Sequence, residues 1–179
     1  MFMTRQGSCS RVLLSATQIQ ERVRALGARI TEDYRDRSLV VLAVLKGSCV
    51  FASDLIREID LPLRVEFLGV ASYGDGTRTT GIVQITQDLT APIVGDDVLV
   101  VEDIVDTGLT LRYLLQLLEL RGPRTLNVCA LLHKPDRTRE PIDIDYVGFT
   151  INDEFVVGYG LDYRQLYRNL PYVGVLDDG

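Results

Sequence analysis

The chain has 179 residues, 46% hydrophobic and 25% charged, with a net charge of −6; that is the balance of an ordinary soluble globule, one domain over 1–179 by size and able to bury roughly 70% of its unfolded surface. The acidic balance argues against broad nucleic-acid binding, whose affinity comes mostly from neutralising phosphates, and the longest uninterrupted apolar run, residues 39–45, is far too short for a membrane span. The N-terminal residues lack the apolar core of a signal peptide, and Cys9, Cys49 and Cys129 are odd in number, far apart and without metal-site spacing, so a cytoplasmic, thiol-reduced protein is expected.

The chain begins with a short strand at Val12-Leu13-Leu14, and Ser15-x-x-Gln18 is a capping box for a helix whose apolar face is Ile19, Val23, Leu26 and Ile30. Residues 39–45, all apolar, form a second, fully buried strand. It ends in Lys46-Gly47-Ser48, and a helix follows through Phe51, Leu55, Ile56 and Ile59. Two further strands are expected at 63–71 and 81–89. The polar, Gly-containing connection from Ser72 and Tyr73 to Thr80 is longer than a tight hairpin needs, which suggests a mobile lid or else a plain hairpin tip.

The stretch at 98–111 organises the rest. Val98-Leu99-Val100-Val101 is apolar and mostly β-branched, as in a strand buried on both faces of a parallel sheet. Glu102 and Asp103 end the apolar run, Asp106-Thr107-Gly108 make a short loop, and a helix begins near Leu109 with Leu111, Leu114, Leu115 and Leu118 at helical spacing. A loop of small and hydroxyl residues at a helix start turns backbone N–H groups toward one point, which suits a phosphate. Carboxylates beside a phosphate call for sugar hydroxyls or a cation, so the expected ligand is a phosphorylated ribose with Mg²⁺. The bland alternative is a helix cap from Asp106 or Thr107, worth about 1 kcal/mol. It leaves the juxtaposed Glu102 and Asp103 unexplained. Parallel sheets put this loop and Lys46-Gly47-Ser48 on one carboxyl edge, where ligands bind.

Residues 125–132 read as another buried strand, ending in His133-Lys134-Pro135. A lone His at a strand end is more often a structural hydrogen-bonder than a catalyst, and His133 is left unassigned. Only Lys46 and Lys134 among the 19 basic residues are lysine, which marks them as places where a compact ammonium fits better than a planar fork. The tail carries short strands and an aromatic run, 154–172. The chain has no internal repeats, low-complexity stretch or linker.

Glu102-Asp103-Ile104-Val105-Asp106-Thr107-Gly108-Leu109-Thr110 resembles the phosphoribosyl-pyrophosphate signature of the purine phosphoribosyltransferases, which has two acidic residues, a third Asp, then Thr-Gly and a hydroxyl residue. Leu109 stands where eukaryotic members often carry Lys and is closer to the bacterial type. Lys46-Gly47-Ser48 resembles the family's pyrophosphate loop, which can hold a non-proline cis peptide. Glu154 to Tyr163, followed by Arg168-Asn169-Leu170-Pro171-Tyr172, resembles the purine-binding hood of the hypoxanthine-guanine members.

The resemblance covers nearly the whole chain. It implies an α/β fold of the type I phosphoribosyltransferase kind, a mainly parallel sheet flanked by helices. The core would span about 12–140, with a small hood from about 1–11 and 141–179. The implied activity is transfer of 5-phosphoribosyl from phosphoribosyl pyrophosphate to N9 of a 6-oxopurine, in a homodimer or homotetramer with no nucleic-acid or membrane partner. Glu102 and Asp103 would bind the ribose, residues Asp106 to Thr110 the 5′-phosphate, and Ile104 and Val105 would line that site. Lys46, Gly47 and Arg168 would bind pyrophosphate, with Ser72 and Tyr73 closing over it. Lys134 would read the 6-oxo group, because an ammonium only donates hydrogen bonds. Phe155 would stack on the purine, with carbonyls near Val156 and Asp162 reading its edge; Tyr159 reads as core. Glu102, Asp103 and Asp162 would hold Mg²⁺, and Asp106 would be the general base. The alternatives are a phosphoribosyltransferase for another base, such as xanthine or a pyrimidine, a regulatory RNA-binding protein on the same fold, and a purely structural protein that would not respond to phosphoribosyl pyrophosphate.

Overall fold

Ser15 Oγ accepts from the Gln18 backbone N–H at 3.3 Å, and Gln18 Oε1 accepts from the Ser15 N–H at 2.9 Å. This reciprocal cap starts helix α1, Ala16–Asp33, where the spacing predicts, and the helix buries Ile19, Val23, Leu26 and Ile30. The computed structural model describes residues 9–72, 83–139 and 142–176. Of the expected lid, Tyr73 and the residues through Thr80 lie outside the described residues, as does the side chain of Ser72.

Strand β2, Leu39–Leu45, is buried along its length except at the last residue. Helix α2, Cys49–Leu55, is shorter than expected. The Ile56 N–H still reaches Ala52, but those of Arg57 and Glu58 reach only three residues back, to Asp54 and Leu55. That tighter spacing is how helices end. Ile59 is buried all the same, from the turn beyond.

Strands β3 (Leu63–Ser72), β4 (Val83–Gln87), β5 (Asp97–Val105), β6 (Thr125–His133) and β7 (Tyr146–Thr150) complete a six-stranded sheet of order β4-β3-β2-β5-β6-β7. Every neighbouring pair is parallel except β3 with β4. The apolar residues of β5 divide between two cores, Leu99 and Val101 packing with α1 and α2, and Val98 and Val100 with Leu111, Leu114 and Leu118 of helix α3, Leu109–Glu119. The strand is therefore buried on both faces, which is why it lacks polar alternation. It also runs past the acidic pair to Val105.

A second, antiparallel sheet of order β1-β9-β8 forms the hood from β1 (Cys9–Leu14), β8 (Val156–Val157) and β9 (Val173–Leu176). Segments near both ends of the described residues build it. β1 pairs with β9 from Cys9 to Leu14, with register shifts after Cys9 and after Val12. Residues 146–150 belong to the main sheet, where β7 pairs with β6.

The hood meets the core at Gly160. This residue has φ +101°, and a Cβ there would collide with the carbonyl of Gly47. Gly160→Ala combines a disfavoured backbone with that clash and should cost about 2 kcal/mol or more, lowering the melting temperature by about 4–8 °C. Gly95, with φ +76° but open space around it, is the control. Gly95→Ala should lower the melting temperature by less than half as much in the same thermal scan.

Candidate active site

Strands β2 and β5 are parallel neighbours at the middle of the sheet, and the chain leaves them in opposite directions, to β3 on one side and to β6 on the other. Their carboxyl ends therefore diverge into a crevice, the usual ligand position in an open α/β sheet. A cavity of about 340 Å³ lies there, at the small end of the range for ligand clefts. Gly47 of the β2 loop and Glu102, Asp103, Ile104, Val105, Asp106, Thr107, Gly108 and Thr110 of the β5 stretch line it. Leu109 does not. The Leu45–Lys46 peptide is cis, as the resemblance implies, and the Lys46 side chain is exposed.

Helix α3 has Gly108 at its N-cap, with φ +80° and no side-chain cap. Asp106 and Thr107 therefore do not serve as the helix cap, and the bland alternative fails. The left-handed glycine turns the loop so that the first N–H groups of the helix remain available to a ligand.

Glu102 is buried at 7% exposure. Burial, reinforced by the charge of Asp103, pushes its carboxyl well above the usual range. Asp103 is pushed up to about 6, mainly by burial, against lowering by the Ile104 N–H and its own N–H and by the Arg168 guanidinium. Its carboxylate packs onto Gly47, where any Cβ would overlap it. Glycine at 47 is thus a matter of space as well as of loop geometry.

Asp106 stands apart from that pair. Arg137, at the end of the short 3₁₀ turn Pro135–Arg137, donates Nε–H to Asp106 Oδ1 at 3.0 Å. Thr138 Oγ1 donates to the Asp106 carbonyl and lies 3.2 Å from His133 Nε2. His133 is thus a structural hydrogen-bonder. Lys134 is buried, with 6% exposed, and its ammonium donates to Asp153 Oδ1 at 3.4 Å. Sequence reasoning missed Arg137 and Asp153. The Lys134/Arg137 spacing of three around a proline was the available signal, since 3₁₀ geometry eclipses such residues.

In the hood, Phe155 is 47% exposed and meets Tyr163 edge to face at 5.6 Å, while Val156 is buried. Tyr159 is core, its hydroxyl donating to Asp54 at 2.6 Å. Arg168 donates to the Gly160 carbonyl at 2.7 Å and pairs with Asp162 Oδ1 at 2.6 Å. Asp162 Oδ2 accepts from the Gln165 N–H, so both carboxylate oxygens already have protein partners. Among the described residues no group of three or more His, Cys, Asp and Glu could hold a metal ion. Lys46, Lys134, Phe155, Val156, Asp162 and Arg168 lie outside the lining of the 340 Å³ cavity.

A crevice at the β2/β5 divergence, a phosphate-type loop at a helix start and a carboxylate pair within it define a phosphoribosyl-binding transferase of the type I fold. The model of the phosphoribosyl transferase domain family matches residues 13–164, and the chain belongs to that family. It is similar to the hypoxanthine-guanine phosphoribosyltransferase of Mycobacterium avium, with 51% identity over 96% of this chain and 87% of that one. It is likewise similar to that of Staphylococcus epidermidis, with 53% identity over 92% of each. Among solved structures, a hypoxanthine phosphoribosyltransferase from Staphylococcus aureus superposes with a TM-score of 0.91 at 50% identity, over 94% of this chain and 92% of that one. One from Bacillus anthracis, a hypoxanthine-guanine phosphoribosyltransferase, gives 0.91 at 44% identity over 95% and 100%.

The raised Asp103 carboxyl has a thermodynamic consequence. A carboxyl whose folded value exceeds its unfolded one, near 4, stabilises the fold while protonated, and that contribution is lost as pH rises from about 4 through about 6. Asp103→Asn keeps the shape without the buried charge. Measured without ligands, it should melt about 3–6 °C above the native protein at pH 8 and show little difference at pH 4, while losing activity.

Proposed function

We propose that the protein transfers the 5-phosphoribosyl group of phosphoribosyl pyrophosphate to N9 of a 6-oxopurine, hypoxanthine and also guanine, giving IMP or GMP and pyrophosphate in purine salvage. The observation that carries this reading is the cavity at the β2/β5 divergence, lined by the whole 102–110 stretch except Leu109. The buried Lys134, one strand away, supports the 6-oxo preference. In the reaction the bond from C1′ to pyrophosphate breaks, the C1′–N9 bond forms, and the purine gives up one proton. Glu102 and Asp103 hold the ribose hydroxyls and stabilise positive charge developing at C1′. The Asp106 to Thr110 loop holds the 5′-phosphate. Lys46, the N–H groups around Gly47, Arg168 and the Ser72–Tyr73 lid meet the leaving pyrophosphate. Phe155 stacks on the purine, and backbone carbonyls near Val156 and Asp162 read its edge.

Two cavity-lining carboxylates are hard oxygen donors that suit Mg²⁺, which takes few protein ligands and completes its shell with water and substrate phosphates. Glu102 and Asp103 would hold it. Asp162 would join them only on releasing Arg168 and the Gln165 N–H. Bound there, the ion supplies positive charge against the leaving pyrophosphate.

We further assign the protein to the cytoplasm, as a homodimer or homotetramer acting on small molecules with no nucleic-acid or membrane partner. The charge of −6 and the free thiols of Cys49 and Cys129 support that setting, and exposed Val94 and Leu120 offer apolar surface for assembly. Among the described residues no helix is long and apolar enough to cross a membrane.

Steady-state assays with hypoxanthine, guanine, xanthine and adenine, phosphoribosyl pyrophosphate and Mg²⁺ test the reading. Hypoxanthine should be used well and adenine very poorly; equal use of adenine overturns it. Lys134→Met should lower kcat/KM for hypoxanthine roughly 10–100-fold, since a hydrogen bond to a charged group is worth about 1.5–3 kcal/mol. Near-native kinetics in that variant would remove Lys134 from the purine site.

Asp106 carries the proton. Its side chain is 39% exposed, accessible to a ligand, and a carboxylate can take the purine's proton at N7 as N9 bonds. Asp106→Asn keeps the size but not the basicity, and should lose roughly 10²–10⁴-fold in the chemical step, with smaller changes in either KM. Single-turnover kinetics is the measurement, because slow product release would mask the loss at steady state. A chemical step within threefold of native would leave Asp106 as a loop-shaping residue only.

A further inference from the structure

Four charged side chains alternate in sign along one edge of the site. Asp106 Oδ1 takes Arg137 Nε at 3.0 Å, Arg137 reaches Asp153 Oδ2 through a second nitrogen at 3.4 Å, and Asp153 Oδ1 takes Lys134 Nζ at 3.4 Å. The backbone places them with care. Lys134 and Arg137 flank the Pro135–Arg137 turn, closed by Arg137 N–H to the Lys134 carbonyl at 3.1 Å. Three-residue spacing on such a turn eclipses the two side chains, so both reach one carboxylate. Two further bonds tie this turn to the phosphate-type loop, Thr138 Oγ1 to the Asp106 carbonyl and the Arg139 N–H to the Thr107 carbonyl, each at 3.1 Å. Asp153 lies two residues before Phe155 on the hood side.

Stability does not account for the arrangement. Arg137 is 43% exposed and its two carboxylate partners 39% and 51%, and exposed pairs contribute little. Orientation does account for it. A guanidinium is a rigid planar fork, and here it spans two carboxylates while lining the same cavity as Asp106. A lysine's compact ammonium on a flexible stem lacks that fixed spacing between donors.

We propose that Arg137 is a positioning residue for the transfer reaction. It fixes the orientation of the Asp106 carboxylate, and Asp153 seats it against Lys134, so that the base and the purine-reading ammonium are held in one register. This rests on the base role proposed for Asp106. The guanidinium acts through that carboxylate and not by touching either substrate.

The test measures the single-turnover chemical step and both KM values in Arg137→Gln, Arg137→Lys, Asp106→Asn and the double variant Arg137→Gln/Asp106→Asn. Arg137→Gln should slow the chemical step roughly 5–20-fold and leave KM for phosphoribosyl pyrophosphate within twofold. Arg137→Lys should recover part of the rate and not all of it. The double variant should be no slower than Asp106→Asn alone, because the guanidinium then has no base to orient. A rate within threefold of native in Arg137→Gln, beside a crippled Asp106→Asn, overturns the positioning role alone. So does an equal loss from Arg137→Gln in both backgrounds, or a large rise in KM for phosphoribosyl pyrophosphate, which would make Arg137 a direct phosphate contact. A native-like chemical step in Asp106→Asn instead overturns the base role on which the proposal stands.

Discussion

The site depends on β2 and β5 lying side by side, parallel and buried on both faces. Neither strand could present its loop on the carboxyl edge without the other, since the crevice exists only where the chain turns away from the pair in opposite directions. That same burial decides the electrostatics. Because β5 runs on past Val101 to Val105, its carboxylates start inside the protein, and desolvation raises both Glu102 and Asp103. A sugar hydroxyl or a cation would meet acids that are costly to leave ionised and unpaired.

The hood meets the β2 loop through backbone. Gly160 abuts the Gly47 carbonyl, Gly47 in turn accommodates the Asp103 carboxylate, and Arg168 returns to the Gly160 carbonyl. Three residues with no side chain or one fixed guanidinium therefore link the small sheet, the β2 loop and the carboxylate pair. Larger side chains at 47 or 160 would force these elements apart. The Arg168–Asp162 ion pair lies beside them at the hood's edge.

Charges here divide into two kinds. Pairs such as Arg124 with Asp97 fasten elements far from the crevice; the buried Asp97 there also accepts from Thr125 Oγ1, and the Arg124 side bond holds its carboxyl below the usual range. The Asp106–Arg137–Asp153 pairs are different, being half-exposed, with Asp106 and Arg137 lining the cavity and the buried Lys134 closing the chain behind them. Exposed pairs of that sort add little to stability, so their value lies in geometry.

Much was legible in the sequence because local physics is strong in particular places. The Ser15/Gln18 box set the start of α1, the unbroken apolar runs at 39–45 and 98–101 marked doubly buried strands, and the Asp106-Thr107-Gly108 loop marked the turn from β5 into α3. These features act within a few residues, so order along the chain is enough to read them. What only the tertiary structure decided involves partners distant in sequence. β1 belongs to the hood because β9, more than 150 residues away, supplies its hydrogen bonds, and β7 belongs to the main sheet because β6 accepts it as an edge. Asp106 meets Arg137 across a 31-residue separation, and Tyr159 meets Asp54 across 105. Pairings of that kind are settled by which surfaces the folded chain brings within three or four ångströms, and no periodicity or spacing in the sequence encodes that distance.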